Sequence, residues 1–246
     1  MGARIYRVGQ IVPSSNTTME TEVPRFMQRL SAGNRDIDLT FHSARMRMKQ
    51  VKKEDLVAMD ADSHRCAREL SDAPIDVAGY ACLVAIMAMG LGYHQVSEET
   101  LMRITAEEGR KIPIVTSAGA LISELKLANY RRLALLMPYS DELAKLVVNY
   151  LENEGLEIAD YRNFSVTNNL EVGCIPAERL IGALDGLDTR NIDAIVLSAC
   201  VQMPSIAALD EARKRTGLPV TSTAECTAKA MLRTIGVSFQ DDFAVA

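Results

Sequence analysis

The chain has 246 residues, 48% hydrophobic and 24% charged, and a formal net charge of −5. Such a length buries a full core without staples, and mild acidity argues against nucleic acid as a partner. No window approaches the roughly 20 apolar residues that cross a bilayer, residues 1 to 12 show no signal-peptide core or cleavage site, and Cys66, Cys82, Cys174, Cys200 and Cys226 form no tight framework and read as free thiols, so a cytoplasmic protein with no membrane contact is expected.

Short apolar runs then alternate with amphipathic stretches. Tyr6 to Val12 reads as a strand, Thr18 to Leu30 as a helix, Ile37 to Ser43 as a strand and Glu54 to Leu70 as a helix. Val77 to Ala81 is a buried strand ending at Cys82, Ser97 to Glu108 a helix with Ser97 as N-cap, and Ile112 to Thr116 a strand. A second set follows. Leu133 to Met137 is a strand, Asp141 to Glu154 a helix closed by Gly155, Leu156 to Phe164 a strand and Pro176 to Leu187 a helix. Ala194 to Ala199 is a strand ending at Cys200, Ser205 to Thr216 a helix closed by Gly217, Val220 to Ser222 a strand and Glu225 to Ile235 the last helix. Alternating strands and helices imply parallel sheets covered by helices.

The order of features repeats. Each half has a strand–Pro–polar turn (Val12-Pro13-Ser14, then Met137-Pro138-Tyr139), a strand–small–Cys turn (Ala81-Cys82, then Ala199-Cys200) and a Pro–strand–Thr-Ser segment (Pro113 to Ser117, then Pro219 to Ser222). This is the pattern of a duplicated α/β unit. The expected architecture is two similar Rossmann-like lobes with parallel sheets; if they face each other about a pseudo-twofold axis, the active site lies in the cleft between them. Residues 1–117 with 224–246 would form the first lobe and residues 118–223 the second.

Ligands of open parallel sheets bind beyond the carboxyl ends of the strands. Cys82, Cys200, Asn16 and Tyr139 all fall at such ends. A free cysteine is usually a small buried hydrophobe, but two at matching places in matching halves would present two sulfurs to opposite faces of one substrate. Only a few per cent of an ordinary thiol, with its pKa of about 8.5, is ionised at neutral pH. Backbone N–H groups after the cysteines, at Leu83-Val84 and Val201-Gln202, could favour the thiolate or hold a carboxylate. Asn16 alone reads as a cap or turn residue. With Tyr139 and the polar stretch containing Asn168-Asn169, it could instead bind carboxylates without competing for protons.

At these residues the chain resembles the aspartate/glutamate racemase superfamily, and within it the maleate cis-trans isomerases. The carriers are Val12-Pro13-Ser14-Ser15-Asn16-Thr17-Thr18-Met19-Glu20, Tyr80-Ala81-Cys82-Leu83-Val84, Met137-Pro138-Tyr139 and Ser198-Ala199-Cys200-Val201-Gln202-Met203-Pro204. The resemblance spans essentially the whole chain. It implies no cofactor, a homodimer, a small dicarboxylate substrate (maleate), Cys82 as nucleophile, Cys200 as its acid/base partner, and Asn16, Tyr139 and Asn169 as carboxylate-binding positions. The alternative is an amino-acid or hydantoin racemase using the same thiols. Its substrate amino group should need a nearby carboxylate, for which Asp141 is the one candidate. Arylmalonate decarboxylases have glycine at the first cysteine position, so Cys82 argues against them.

Other chemistries find little support. His42, His64 and His94 show no zinc spacing, and no metal is expected. Gly90-Leu91-Gly92 is a fragment of a dinucleotide fingerprint and marks a turn, and Ser198 lacks the nucleophile elbow of serine hydrolases. The basic run Arg45, Arg47, Lys49, Lys52, Lys53 reads as a solvated segment or as a cover over an anion site.

Overall fold

The computed structural model describes residues 3–48 and 53–240. Lys49 and Lys52 of the basic run lie outside them. Two four-stranded parallel sheets form the frame. The first has the strand order β2 (Ile37–Met46), β1 (Arg4–Pro13), β3 (Val77–Tyr80), β4 (Ile114–Thr116). The second has the order β6 (Glu157–Asn163), β5 (Arg132–Met137), β7 (Ala194–Ser198), β8 (Val220–Ser222). In each sheet the first strand of its set lies second, between the second strand and the third. The duplication read from the order of motifs is thus a duplication of topology.

Central strands are buried on both faces and so read as apolar runs. Every residue of β3 and β7 is buried. The helices are α1 (Glu22–Ser31), α2 (Lys53–Ser71), α3 (Leu83–Ala88), α4 (Tyr93–Glu107), α5 (Ser117–Leu127), α6 (Asp141–Asn153), α7 (Asn169–Val172), α8 (Ala177–Ala183), α9 (Leu209–Thr216) and α10 (Thr223–Thr234).

Each sheet ends in the same device. Thr116, the last residue of β4, accepts the Gly119 N–H at 3.0 Å, and Ser222, the last of β8, accepts the Glu225 N–H at 3.3 Å, capping α5 and α10. These two helices pack on each other. α10, although it follows the second sheet, lies against α1 and β3 of the first. The approach is close: a Cβ on Gly79 of β3 would stand 2.7 Å from the Met231 sulfur.

Several boundaries differ from expectation. α4 starts four residues early, at Tyr93, because Gly92 adopts φ 71 and ends the turn there. Ser97 is consequently buried inside the helix rather than capping it. Neither α3 nor α5 was expected. α5 buries Ala118, Leu121, Ile122, Glu124 and Leu125 around its circumference, so no polar stripe marks it in the sequence. The helix expected from Ser205 begins as a single 3-10 turn, Ile206–Ala208, before α9.

Candidate active site

β1 delivers the chain to Asn16 through a tight turn in which the Asn16 N–H bonds the Pro13 carbonyl at 2.8 Å. The Asn16 side-chain oxygen accepts the N–H groups of Thr18 and Met19 at 2.9 and 3.0 Å. It is therefore the local cap that sequence reasoning allowed, and the same bonds leave its NH2 end as the group able to face a ligand. Arg45 braces this loop from outside, donating to the Ser14 carbonyl at 3.0 Å, the Asn16 carbonyl at 2.8 Å and the Glu20 carboxylate at 2.9 Å. This member of the basic run is committed to the loop rather than lying over the site.

β3 ends two residues before Cys82, which occupies the N-cap position of α3, and β7 ends two residues before Cys200. The two thiols, one from each sheet, line a single cavity of about 20 Å³. Asn16, Tyr139, Asn169, Leu83, Val84 and Val201 line it too, together with Pro13, Met48, Ala81 and Gln202. None of these lining residues is charged. Asn169 and Asn168 part company. Asn168 caps α7, its oxygen accepting the Leu170 N–H at 3.0 Å, and stays on the exposed side. Asn169 is buried, and its NH2 donates to the Ser15 hydroxyl at 2.7 Å. Asp141 does not line the cavity; its carboxylate accepts from Asn163 at 2.8 Å. Among the described residues no group of three or more His, Cys, Asp or Glu could hold a metal, and no helix is long and apolar enough to cross a membrane.

The two thiols have different surroundings. Burial pushes Cys82 up to about 12, only partly offset by the Ala85 N–H, and charge on Cys200 and on Asp60 raises it further. The donor is one residue beyond the expected Leu83-Val84 pair. Cys200 is also raised by burial, but the Tyr139 hydroxyl and the N–H groups of Met203 and Gln202 all favour its thiolate. Burial holds the Tyr139 phenol well above its ordinary range, so it is a donor throughout. Behind Cys82, the buried Asp60 carboxylate accepts the hydroxyls of Tyr80 at 3.1 Å and Tyr93 at 2.6 Å.

The profile of a protein family described as arylmalonate decarboxylase matches residues 8–243. A Pseudomonas putida maleate isomerase is 52% identical over 232 residues, covering 94% of this chain and 92% of that one. The chain belongs to this family, among its maleate isomerases. The crystal structure of Iso, a maleate isomerase from a Pseudomonas putida strain, holds maleate in a cysteine-to-alanine variant; it has a TM-score of 0.91 at 45% identity, over 97% of this chain and 100% of that one. A cysteine-to-serine mutant of the Nocardia farcinica maleate cis-trans isomerase, with a covalently bound succinylcysteine intermediate, has a TM-score of 0.91 at 42% identity, over 95% of this chain and 94% of that one.

Sequence reasoning missed three contributors to the cavity or its walls. Met48 closes one side and Asp60 stands behind Cys82. The Gln202 side chain ties the loops together. Gln202 had drawn notice only for its backbone amide, and its place two residues after Cys200 gives no sign of where its side chain reaches.

Proposed function

We propose that this chain converts maleate to fumarate without a cofactor, by covalent addition, bond rotation and elimination. The observation that carries this reading is the pairing of one thiol from each sheet across a small, largely apolar cavity in which Asn16, Tyr139 and Asn169 are neutral hydrogen-bond donors. Rotation about a peptide C–N bond, only partly double, already costs about 18–20 kcal/mol, and a step of ~20 kcal/mol runs at roughly 0.01 per second. A full double bond must be removed temporarily.

Cys82 thiolate adds to one olefinic carbon, forming a C–S bond, while the π electrons take the Cys200 S–H proton at the other carbon. Cys200 is left as a thiolate. The adduct rotates about a single bond. Cys200 then withdraws the proton, the π bond re-forms and Cys82 leaves with the C–S electrons. Asn16, Tyr139, Asn169 and the backbone amides near Leu83, Val84 and Val201 hold the carboxylates. The succinylcysteine in the Nocardia farcinica mutant is the product expected when a thiol adds across such a double bond, which supports the same route here.

The resemblance also supports a cytoplasmic homodimer of two-lobed subunits, 1–117 with 224–246 and 118–223, that acts on a small diacid and binds neither nucleic acid nor membrane. The return of α10 to β3 and α1 favours joining the last segment to the first lobe. The racemase alternative is disfavoured by the lack of a carboxylate among the described cavity-lining residues. The test is incubation with maleate, free of metal and cofactor, followed by proton NMR. A fumarate olefinic signal is expected. Unchanged maleate, with α-proton exchange in D-aspartate or D-glutamate, would replace this function with racemisation.

A further inference from the structure

We propose that Gln202 is a positioning residue that fixes the span between the amides of Asn16 and Asn169 and so sets the length of diacid the site accepts, a role that rests on the function proposed above. Gln202 is 4% exposed. Its side-chain oxygen accepts the Thr17 N–H at 3.2 Å, and its NH2 donates to the Ser15 carbonyl at 3.1 Å and the Asn169 carbonyl at 2.9 Å. Its own carbonyl accepts the Thr18 hydroxyl at 2.8 Å. The chain is therefore gripped on both sides of Asn16, and at Asn169, by a single residue two positions from Cys200.

The carboxamide suits this task because the three sites ask for one acceptor and two donors, which is the inventory of a glutamine side chain. Asn16 leaves β1 in the first sheet, whereas Asn169 begins α7, which follows β6 of the second. The distance between them depends on how the two halves are joined at the cavity. A diacid reaching from one amide to the other reads that distance directly. Every one of these partners is backbone or a loop hydroxyl, so the side chain, although the residue lines the cavity, is committed to holding the loops.

Gly173 supplies an independent handle. Its φ of −69 and ψ of −12 suit alanine, yet a Cβ there would stand 2.7 Å from the Gln202 nitrogen and 3.3 Å from its amide carbon. Gly173→Ala should displace the carboxamide without straining the backbone.

The experiment measures kcat and KM for maleate, and competitive inhibition by succinate against glutarate, in the wild-type protein, Gln202→Ala and Gly173→Ala. The wild type is expected to prefer succinate over glutarate. Both variants are expected to raise KM by roughly tenfold or more, the effect of losing buried hydrogen bonds, with a smaller change in kcat and a succinate/glutarate ratio moved toward one. Should Gln202→Ala fail to fold, Gly173→Ala decides alone. Variants that fold and keep KM within twofold, or that lose kcat at unchanged KM, overturn the proposal, as does a wild type indifferent to diacid length. A wild type that turns over no maleate overturns the function itself, a result distinct from any of these.

Discussion

Tyr139→Phe removes the hydroxyl that reaches the proposed acid/base and that is also assigned to a substrate carboxylate. The ring is 6% exposed, so phenylalanine keeps the packing and deletes only the hydroxyl. That hydroxyl favours the Cys200 thiolate, alongside the Gln202 and Met203 amides, which the substitution leaves in place. A hydrogen bond to a charged group contributes about 1.5–3 kcal/mol. At 1.36 kcal/mol per factor of ten, this converts to roughly a 10- to 150-fold loss in kcat. Without the hydroxyl the thiol rises further, so the thiolate demanded by the adduct forms less readily. The assay is initial-rate maleate-to-fumarate conversion over a range of maleate concentrations, with melting temperature as a control for folding. A loss confined to KM would assign Tyr139 to carboxylate binding alone. Changes below threefold in both parameters, in a protein that melts normally, would refute the reasoning.

Cys82→Ala should abolish turnover and show no covalent adduct by intact-protein mass spectrometry with maleate, whereas Cys200→Ser should retain slow adduct formation; an adduct in Cys82→Ala would reverse the two roles. With Cys82 pushed up to about 12, its alkylation by iodoacetamide should climb about tenfold per pH unit from pH 7 to 10, and a plateau below pH 9 in peptide-resolved labelling would contradict the burial argument. Burial also raises Cys66 to about 11. Such thiols stay protonated in the fold while the unfolded chain ionises near 8.5, so their stabilising effect is complete below about pH 8.5 and is lost as pH rises toward 11 and 12, by at most ~1.4 kcal/mol per group per unit. Melting temperature should fall steadily above pH 8.5, and a flat profile to pH 10.5 would count against it.

The frame was legible because its signals are local or repetitive. A buried parallel strand such as Val77–Tyr80 is an unbroken apolar run, and the Pro, Cys and Thr-Ser punctuation recurs in both halves. The eight site positions read from the chain share one cavity because strand ends in this topology converge. What escaped was tertiary in origin. α5 is hidden by being buried nearly all round. Asp60 reaches the site from the middle of α2, and Gln202 bonds partners 33 to 187 residues distant, which no periodicity reports. The choice between Asn168 and Asn169 turns on one helical residue. The first supplies the cap of α7 and the second begins it, so their side chains leave in different directions.

The unequal surroundings of the two thiols make sense once charge is followed through the proposed cycle. A sulfur that awaits attack would be expected to carry the better thiolate environment, yet the hydroxyl and most of the amides gather at Cys200. In the reactive form that the proposed cycle requires, the pair shares one proton and one negative charge. Before addition that charge resides on either sulfur. In the adduct Cys82 has become a neutral thioether, its electrons held in the C–S bond, and its proton affinity no longer matters. The whole charge then rests on Cys200. Donors at Cys200 therefore stabilise the adduct, and the addition leading to it, more than they stabilise a resting Cys82 thiolate. Donors at Cys82 would do the reverse, deepening the ground state and slowing the attack. Duplicated strand ends provide two thiols in register, and the residues grafted on one of them, Tyr139 above all, give the pair its direction.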